Sequence, residues 1–282
     1  MNYRHHFHAG NFADLVKHVT LLALLDDLKR SGRRITLLDT HAGPGLYDLS
    51  ASPAVRSGEA AAGIGRLLEG PADPAFAPLL EAVAGVNKGP VSHYPGSPLL
   101  AAVRLGQGDQ LIACELHPEE AQGLTAVLTR AAGRESPRLD IRAADGFEAA
   151  LQLPNGPDRA TVVLIDPPYE RGDDHDRVVA TCADLMRRRP APSVIIWAPI
   201  KDLETLDHML RGLDALPGVR GTAVQTRLRP PLNPMKMNGC AIIVLHVPPA
   251  VRKAAVAAAE AVARLCGDAS ASVVVTELGE EG

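Results

Sequence analysis

Apolar residues near the N-terminus recur with helical spacing. Phe12, Leu15, Val16, Val19, Leu22, Leu25 and Leu28 follow the 3.6-residue period and predict an amphipathic helix over residues 12–30. Asn11 is placed to cap it, Asp14 falls in its first turn, and Gly32 supplies a stop. Five short apolar runs of strand length follow: Ile35 to Leu38, Leu111 to Glu115, Leu139 to Ala143, Thr161 to Ile165 and Ser193 to Trp197. Residues 221–229 and 240–247 predict a late antiparallel pair. Strands alternating with helical stretches imply an α/β, Rossmann-like fold with a mostly parallel sheet covered on both faces. The stretch 46–95 breaks this rhythm. It is rich in Ala, Gly and Pro, has helical patches at Ile64 to Leu68 and Phe76 to Val86, and shows no strand. It predicts a small helical insertion into a domain built from residues 1–45 and 96–282.

Composition narrows the setting. No apolar run approaches the ~18 residues that a membrane span needs, and Met1 to His8 lacks the apolar core of a signal peptide. Cys114, Cys182, Cys240 and Cys266 are scattered, most of them in apolar stretches. They read as core residues of a reducing compartment, so a cytoplasmic location is expected. The net charge of −4 argues against a protein that coats nucleic acid but allows one that grips a single nucleotide through a local basic patch. Candidate patches are Arg4, Lys29 to Arg34, Arg187-Arg188-Arg189, and Arg227 and Arg229 with Lys236. Each such cluster is more often a solvated helix end or strand edge than a phosphate site.

Four polar motifs follow four successive predicted strands, at the end of a parallel sheet where ligands bind. Gly43-Pro44-Gly45, after Asp39 and His41, lets a ligand approach the backbone, but it lacks the Lys-Ser/Thr of a phosphate loop and the third glycine of a dinucleotide fingerprint. Glu115 ends the second strand, where a carboxylate can accept from both ribose hydroxyls. Asp145-Gly146-Phe147 could offer an acceptor to an adenine amino group and a ring to its base. Asp166-Pro167-Pro168-Tyr169 is the most specific. Two prolines fix φ and remove two N–H donors, which leaves a rigid turn with outward carbonyls. A planar substrate bearing an NH₂ group suits it. Tyr169 would stack on the ring, while Asp166 and the Pro167 carbonyl accept from the amine and free its lone pair to attack a methyl sulfonium.

Asp-Pro-Pro-Tyr in this position resembles the signature of adenine-N6 amino-methyltransferases. Nearly the whole chain is similar to the RlmJ-type enzymes, which methylate adenine N6 in bacterial 23S ribosomal RNA. The similarity rests on Tyr3-Arg4-His5-x-Phe7-His8-Ala9-Gly10-Asn11-x-Ala13-Asp14, Lys17-His18, Asp39-Thr40-His41-Ala42-Gly43, Tyr94-Pro95-Gly96-Ser97-Pro98, Glu115-Leu116-His117-Pro118, Ala144-Asp145-Gly146-Phe147 and Asp166-Pro167-Pro168-Tyr169. The N-terminal and Tyr-Pro-Gly-Ser-Pro blocks are its specific parts. Pro44 inside the glycine loop departs from the pattern, and the C-terminal third matches mainly in periodicity. The resemblance implies a methyltransferase fold with a helical insertion and 23S ribosomal RNA as substrate. It implies S-adenosyl-L-methionine held by His18, His41, Ser97, Glu115, Asp145, Gly146 and Asp166. It also implies catalysis by Asp166 with Pro167 and Tyr169, and a substrate side formed by Tyr3, Arg4 and Tyr169.

Plainer readings of single residues stand beside these. His18 shares a helix stripe with Leu21, Leu22 and Leu25, where a histidine is commonly a packed core residue. Ser97 before Pro98 is a natural N-cap with proline at the first helical position. His5, His6 and His8 lack the further ligands of a metal shell, so no metal is expected, and no obligate protein partner is evident. The alternatives are a DNA adenine-N6 methyltransferase, disfavoured by the small, weakly basic insertion, and an inactive ribosome-assembly factor, disfavoured by the intact Asp166 and Tyr169.

Overall fold

In a computed structural model, residues 8–51, 55, 57–71, 73–154, 156–233 and 236–279 are described. Helix α1 (Phe12–Arg30) begins where expected, with the Asn11 side chain accepting from Ala13 N and Asp14 N. The expected amphipathic division is not observed. Lys17, His18 and Thr20 are buried together with the apolar stripe, because packing partners lie on several sides of it. A helix surrounded in this way keeps polar side chains inside only if they find partners.

Strand β1 (Arg34–Asp39) leads to the short β2 (Leu46–Asp48). A π-helical turn (Ala61–Gly65) runs into α2 (Arg66–Glu69), and a 3₁₀ turn (Pro74–Phe76) into α3 (Ala77–Val86). Then come β3 (His93–Pro95), α4 (Ser97–Arg104), β4 (Gln110–Cys114), α5 (Pro118–Ala131), β5 (Arg138–Arg142), α6 (Gly146–Leu151) and β6 (Arg159–Ile165). The chain ends with α7 (Asp174–Met186), β7 (Ser193–Ile200), α8 (Leu203–Asp214), β8 (Gly221–Arg227), β9 (Gly239–Leu245), α9 (Pro249–Cys266) and β10 (Ser272–Leu278).

The sheet order is β10-β8-β9-β7-β6-β1-β4-β5. Five strands, β5-β4-β1-β6-β7, are parallel, and β9, β8 and β10 add antiparallel pairings. The expected mostly parallel sheet with its late antiparallel pair is therefore present, and β10 extends it. That edge strand is exposed at most positions and carries no clear alternation to announce it. From β1 the chain continues to β4 and β5 on one side and to β6 and β7 on the other. The C-terminal end of β1 is thus the switch point where such sheets hold ligands.

The segment read from sequence as a strandless helical insertion is not strandless. Residues 46–95 contain two strands, β2 and β3, paired antiparallel through Leu46–Pro95, Tyr47–Tyr94 and Asp48–His93. Three-residue strands fall below any sequence periodicity, and only the closing of the loop pairs them. The insertion is fastened to the start of α1. Ile64 N donates to Gly10 O (2.9 Å), and a Cβ on Gly63 would fall 2.2 Å from that same oxygen. Among the described residues, no helix is long and apolar enough to cross a membrane. Burial pushes the thiols of Cys114, Cys182 and Cys240 up to about 12, as befits inert core residues.

Candidate active site

Each parallel strand delivers a polar residue at one edge of the sheet. Asp39 closes β1, Glu115 follows β4, Asp145 follows β5, Asp166 follows β6 and Lys201 follows β7. Beside them opens a cavity of about 950 Å³, at the upper end of the range for ligand pockets and large enough for more than one small ligand. Its wall brings together His18, His41, Ser97, Asp166 and Tyr169 of the expected residues. Pro168 lines it and Pro167 lies just behind. Glu115, Asp145 and Gly146 flank it without lining it. Tyr3 and Arg4 lie outside the described residues.

The centre of the cavity is a charge cluster. Lys17 Nζ donates to Asp166 Oδ2 at 2.5 Å and stands 2.7 Å from Asp14 Oδ1. Burial opposes the Lys17 charge, but the two carboxylates outweigh it and hold the ammonium well above the usual lysine range. Burial likewise works against Asp14, yet Lys17 and the Gly10 N–H bring its carboxyl down to about 2. No other donor among the described residues reaches Asp166, so Oδ1 has no partner among them. Sequence reasoning assigned no role to Lys17 or Asp14. Their i, i+3 spacing is ordinary for a surface ion pair, and only burial of α1 turns the pair inward.

Asp39 is fully buried, and Ser97 Oγ donates to its Oδ2 (2.6 Å). Burial and the nearby Asp166 charge push the Asp39 carboxyl up to about 6, against the pull of the Ser97 hydrogen bond. Ser97 is therefore not the N-cap expected from sequence. Gly96 occupies that position, and the Ser97 hydroxyl is spent on Asp39 because the carboxylate lies within reach. His18 is packed and also borders the cavity: it lines the wall while Nδ1 pairs with Tyr94 OH at 2.8 Å. Burial and Lys17 lower it to about 3, so the ring is neutral at physiological pH.

The Asp-Pro-Pro-Tyr turn is strained where it meets the cavity. Tyr169 adopts φ 51°, a left-handed conformation that costs a non-glycine residue roughly 1–2 kcal/mol. Its hydroxyl donates to Trp197 O on β7 (2.6 Å), and its ring lies 4.5 Å from His175 and 5.7 Å from Trp197. That anchoring holds the aromatic in place. Trp197 also lines the cavity. The chain's one tryptophan, at the ligand end of a strand, was the available signal for it.

On the other flank, Glu115 Oε2 accepts from Gly43 N (3.0 Å) and Oε1 from His117 N (2.8 Å). It braces the glycine turn, in which Gly43 and Gly45 have φ 61° and 80°. Asp145 caps α6 through Phe147 N (2.9 Å) and accepts from Arg177 (2.7 Å). Burial disfavours its charge, but these donors hold the carboxyl below the usual range. The Arg177 guanidinium lies 4.3 Å over the Phe147 ring, and His41 meets that ring edge-on at 4.9 Å. Phe147 therefore has one face covered, contrary to the expectation of a ring open to a base. Gly146 is required by contact, since its Cβ would lie 1.9 Å from Thr40 O.

Two of the basic clusters anticipated from sequence are structural. Arg33 donates to Pro157 O and Arg159 O, and Arg188 to the last carbonyls of α6, both at the sheet end opposite the cavity.

The model of the family described as ribosomal RNA large subunit methyltransferase D, RlmJ, matches residues 33–276. Ribosomal RNA large subunit methyltransferase J of Escherichia coli (strain K12) is 33% identical over 254 residues, covering 88% of each chain. The protein of the same name from Haemophilus influenzae is 31% identical over 252 residues, again with 88% coverage of each. A crystal structure of a Legionella pneumophila str. Philadelphia 1 protein superposes with a TM-score of 0.87 at 25% identity, covering 97% of this chain and 99% of that one. The family match and both relatives agree over most of the length: the chain belongs to the RlmJ family of ribosomal RNA large subunit methyltransferases.

Proposed function

We propose that the protein transfers a methyl group from S-adenosyl-L-methionine to the N6 amino group of a specific adenine in 23S ribosomal RNA. The observation that carries this reading is the Asp14–Lys17–Asp166 cluster lining one cavity together with Pro168 and Tyr169 of the turn that Asp166 begins. An inactive assembly factor would have no use for a buried, charge-balanced carboxylate with one oxygen still unsatisfied.

The residues fit the cofactor's chemistry. S-adenosyl-L-methionine supplies an electrophilic methyl on a cationic sulfonium. Around Lys17 the wall carries Asp14 and Asp166, with Asp39 buried behind Ser97, a local excess of carboxylates that favours a cation, and Gly96 lines the cavity beside Ser97 and His41. Glu115, braced on the glycine turn, is placed for ribose hydroxyls. Asp145, on the same flank, is placed for the cofactor's adenine. Both carboxylates keep further acceptor capacity beyond the hydrogen bonds they already make.

On the substrate side, Lys17 fixes Asp166 through Oδ2, so Oδ1 can accept one hydrogen of the target amine. The Pro167 carbonyl takes the other. Both acceptors draw the amine hydrogens out of the ring plane, which localises the nitrogen lone pair for attack. Tyr169 and Trp197 hold the base by stacking, worth about 1–3 kcal/mol per base. After transfer, the surplus amine proton passes to Asp166 Oδ1. Because the site lies inside a cavity, the adenine must be unpaired or flipped out. Methyl transfer from labelled cofactor to transcribed 23S fragments, followed by nucleoside analysis, tests the reading. The expected product is N6-methyladenosine at one position, and label in another nucleoside, or in none, would overturn it.

A further inference from the structure

Resting on that reading, the structure also bears on how an acidic protein grips and opens RNA. Three cations share one side of the cavity: Lys201 after β7, and Arg229 and Lys236 in the loop from β8 to β9. All three are exposed, and no ion pair engages them among the described residues. The carboxylates nearest to hand are otherwise occupied. Asp202 caps α8 through Thr205 N, and Asp268 accepts from Ser270, while its charge also attracts Arg229 without closing to an ion pair. Within the cavity wall, Glu59 and Glu170 are the other carboxylates besides Asp14 and Asp166. A polyanion is therefore attracted to the Lys201–Arg229–Lys236 side and repelled elsewhere.

Asn238 ties these two loops together. Asn238, only 2% exposed, donates through Nδ2 to Lys201 O (3.0 Å), Asn233 O (3.0 Å) and Lys236 O (3.1 Å). Its backbone N–H meets Ile200 O (2.8 Å), and its carbonyl accepts from Leu228 N (3.0 Å). One buried side chain thus ties the backbone at Lys201 to the backbone at Lys236. Between Arg229 and Lys236 in the chain lies Leu232, 87% exposed and the most exposed large apolar side chain among the described residues. It follows Pro230 and Pro231, whose fixed φ stiffens the tip, and Leu232 N closes a tight turn onto Pro230 O (2.8 Å). A stiff, apolar tip flanked by unpaired cations is the composition of wedges that enter a base stack while neighbouring charges hold the backbone.

We propose that Lys201, Arg229 and Lys236 bind RNA phosphates next to the target nucleotide, and that Leu232 fills the gap left in the stack when the adenine enters the cavity. Each phosphate contact adds about 0.7–0.9 to the slope of log affinity against log salt. Fluorescein-labelled 23S transcripts, titrated by anisotropy between 50 and 200 mM salt, read this without any methyl transfer. The K201A/R229A/K236A variant should bind more weakly, with a slope shallower by about 2–3. A control with the same change in net charge at the opposite end of the sheet, K29A/R30A/R187A, should keep the native slope. Leu232→Ala should lose roughly tenfold in kcat/KM on a fragment with a paired target adenine. It should lose far less when a mismatch already unstacks that adenine. If methyl transfer is intact but the rim variant binds like the native protein or like the control, the rim is refuted while the methyltransferase reading stands. If rim variants lose binding and the native protein transfers no methyl, the rim stands and the activity reading falls. Equal losses for Leu232→Ala on both fragments would refute the wedge.

Discussion

Replacing Lys17 by Met removes the charge that the candidate site is built around while nearly keeping the side-chain volume. Nζ stands 2.7 Å from Asp14 Oδ1 and 2.5 Å from Asp166 Oδ2, and both carboxylates are largely buried. Removing one partner of a buried ion pair leaves an uncompensated charge, at a cost of about 3–5 kcal/mol. For a chain of this size that corresponds to roughly 6–20 °C in Tm. The pH dependence carries a sharper signature. In the native protein Asp14 sits at about 2, below its unfolded value of about 3.9. It therefore contributes about 2.5 kcal/mol, fully present above pH ~4 and lost as pH falls from ~4 toward ~2. Without Lys17, burial dominates and raises the Asp14 carboxyl, so the variant gains stability on acidification and loses it as pH rises from ~4 upward. The slope of stability against pH thus reverses in the acid range. With Asp166 no longer oriented, kcat should fall about 10²–10³-fold, the scale for a lost preorganised contact. Thermal melts across pH 3–8 and methyl transfer from labelled cofactor to rRNA are the assays. A variant whose melting curve runs parallel to the native one, or which turns over normally, would refute the cluster as the centre of the site.

Asp166→Asn presents a donor to the amine and should lower kcat by about 10²-fold or more with little change in cofactor KM; near-native turnover would remove its role. Glu115→Ala should weaken cofactor binding by about 1.5–3 kcal/mol, and unaltered affinity in calorimetry would sink the ribose assignment. Asp39, pushed up to about 6 by burial and Asp166, is raised above its unfolded ~3.9. Native stability should therefore decline by about 3 kcal/mol as pH climbs from ~4 to ~6. Asp39→Asn should flatten that window in urea titrations, and an unchanged slope would place the raised group elsewhere. Gly146→Ala would force a Cβ to within 1.9 Å of Thr40 O and should destabilise by about 1–3 kcal/mol, measured as a drop in Tm with weakened cofactor binding; a neutral substitution would show that the β1 turn yields freely.

Sequence alone determined the strand succession and, with it, the positions of Asp39, Glu115, Asp145 and Asp166. Each follows a buried apolar run, and parallel strands all end at the same edge, so periodicity suffices to bring these residues together. The Pro167-Pro168 turn was also legible, because proline acts on its own backbone wherever it stands. Tertiary structure decided the rest. Lys17 and Asp14 look like a surface pair until several partners enclose α1, and burial then converts them into the clamp on Asp166. Ser97 has the sequence of a helix cap, yet it bonds Asp39, 58 residues away in the chain. Phe147 was expected to meet a base, but Arg177 from a later helix covers it. Strands β2 and β3 exist only through their mutual pairing, and Lys201 is joined to the β8–β9 loop by a single buried asparagine. Local periodicity records which face of an element is apolar. Which polar group finds its partner across the sheet depends on contacts between distant segments, and those are fixed only when the chain closes on itself.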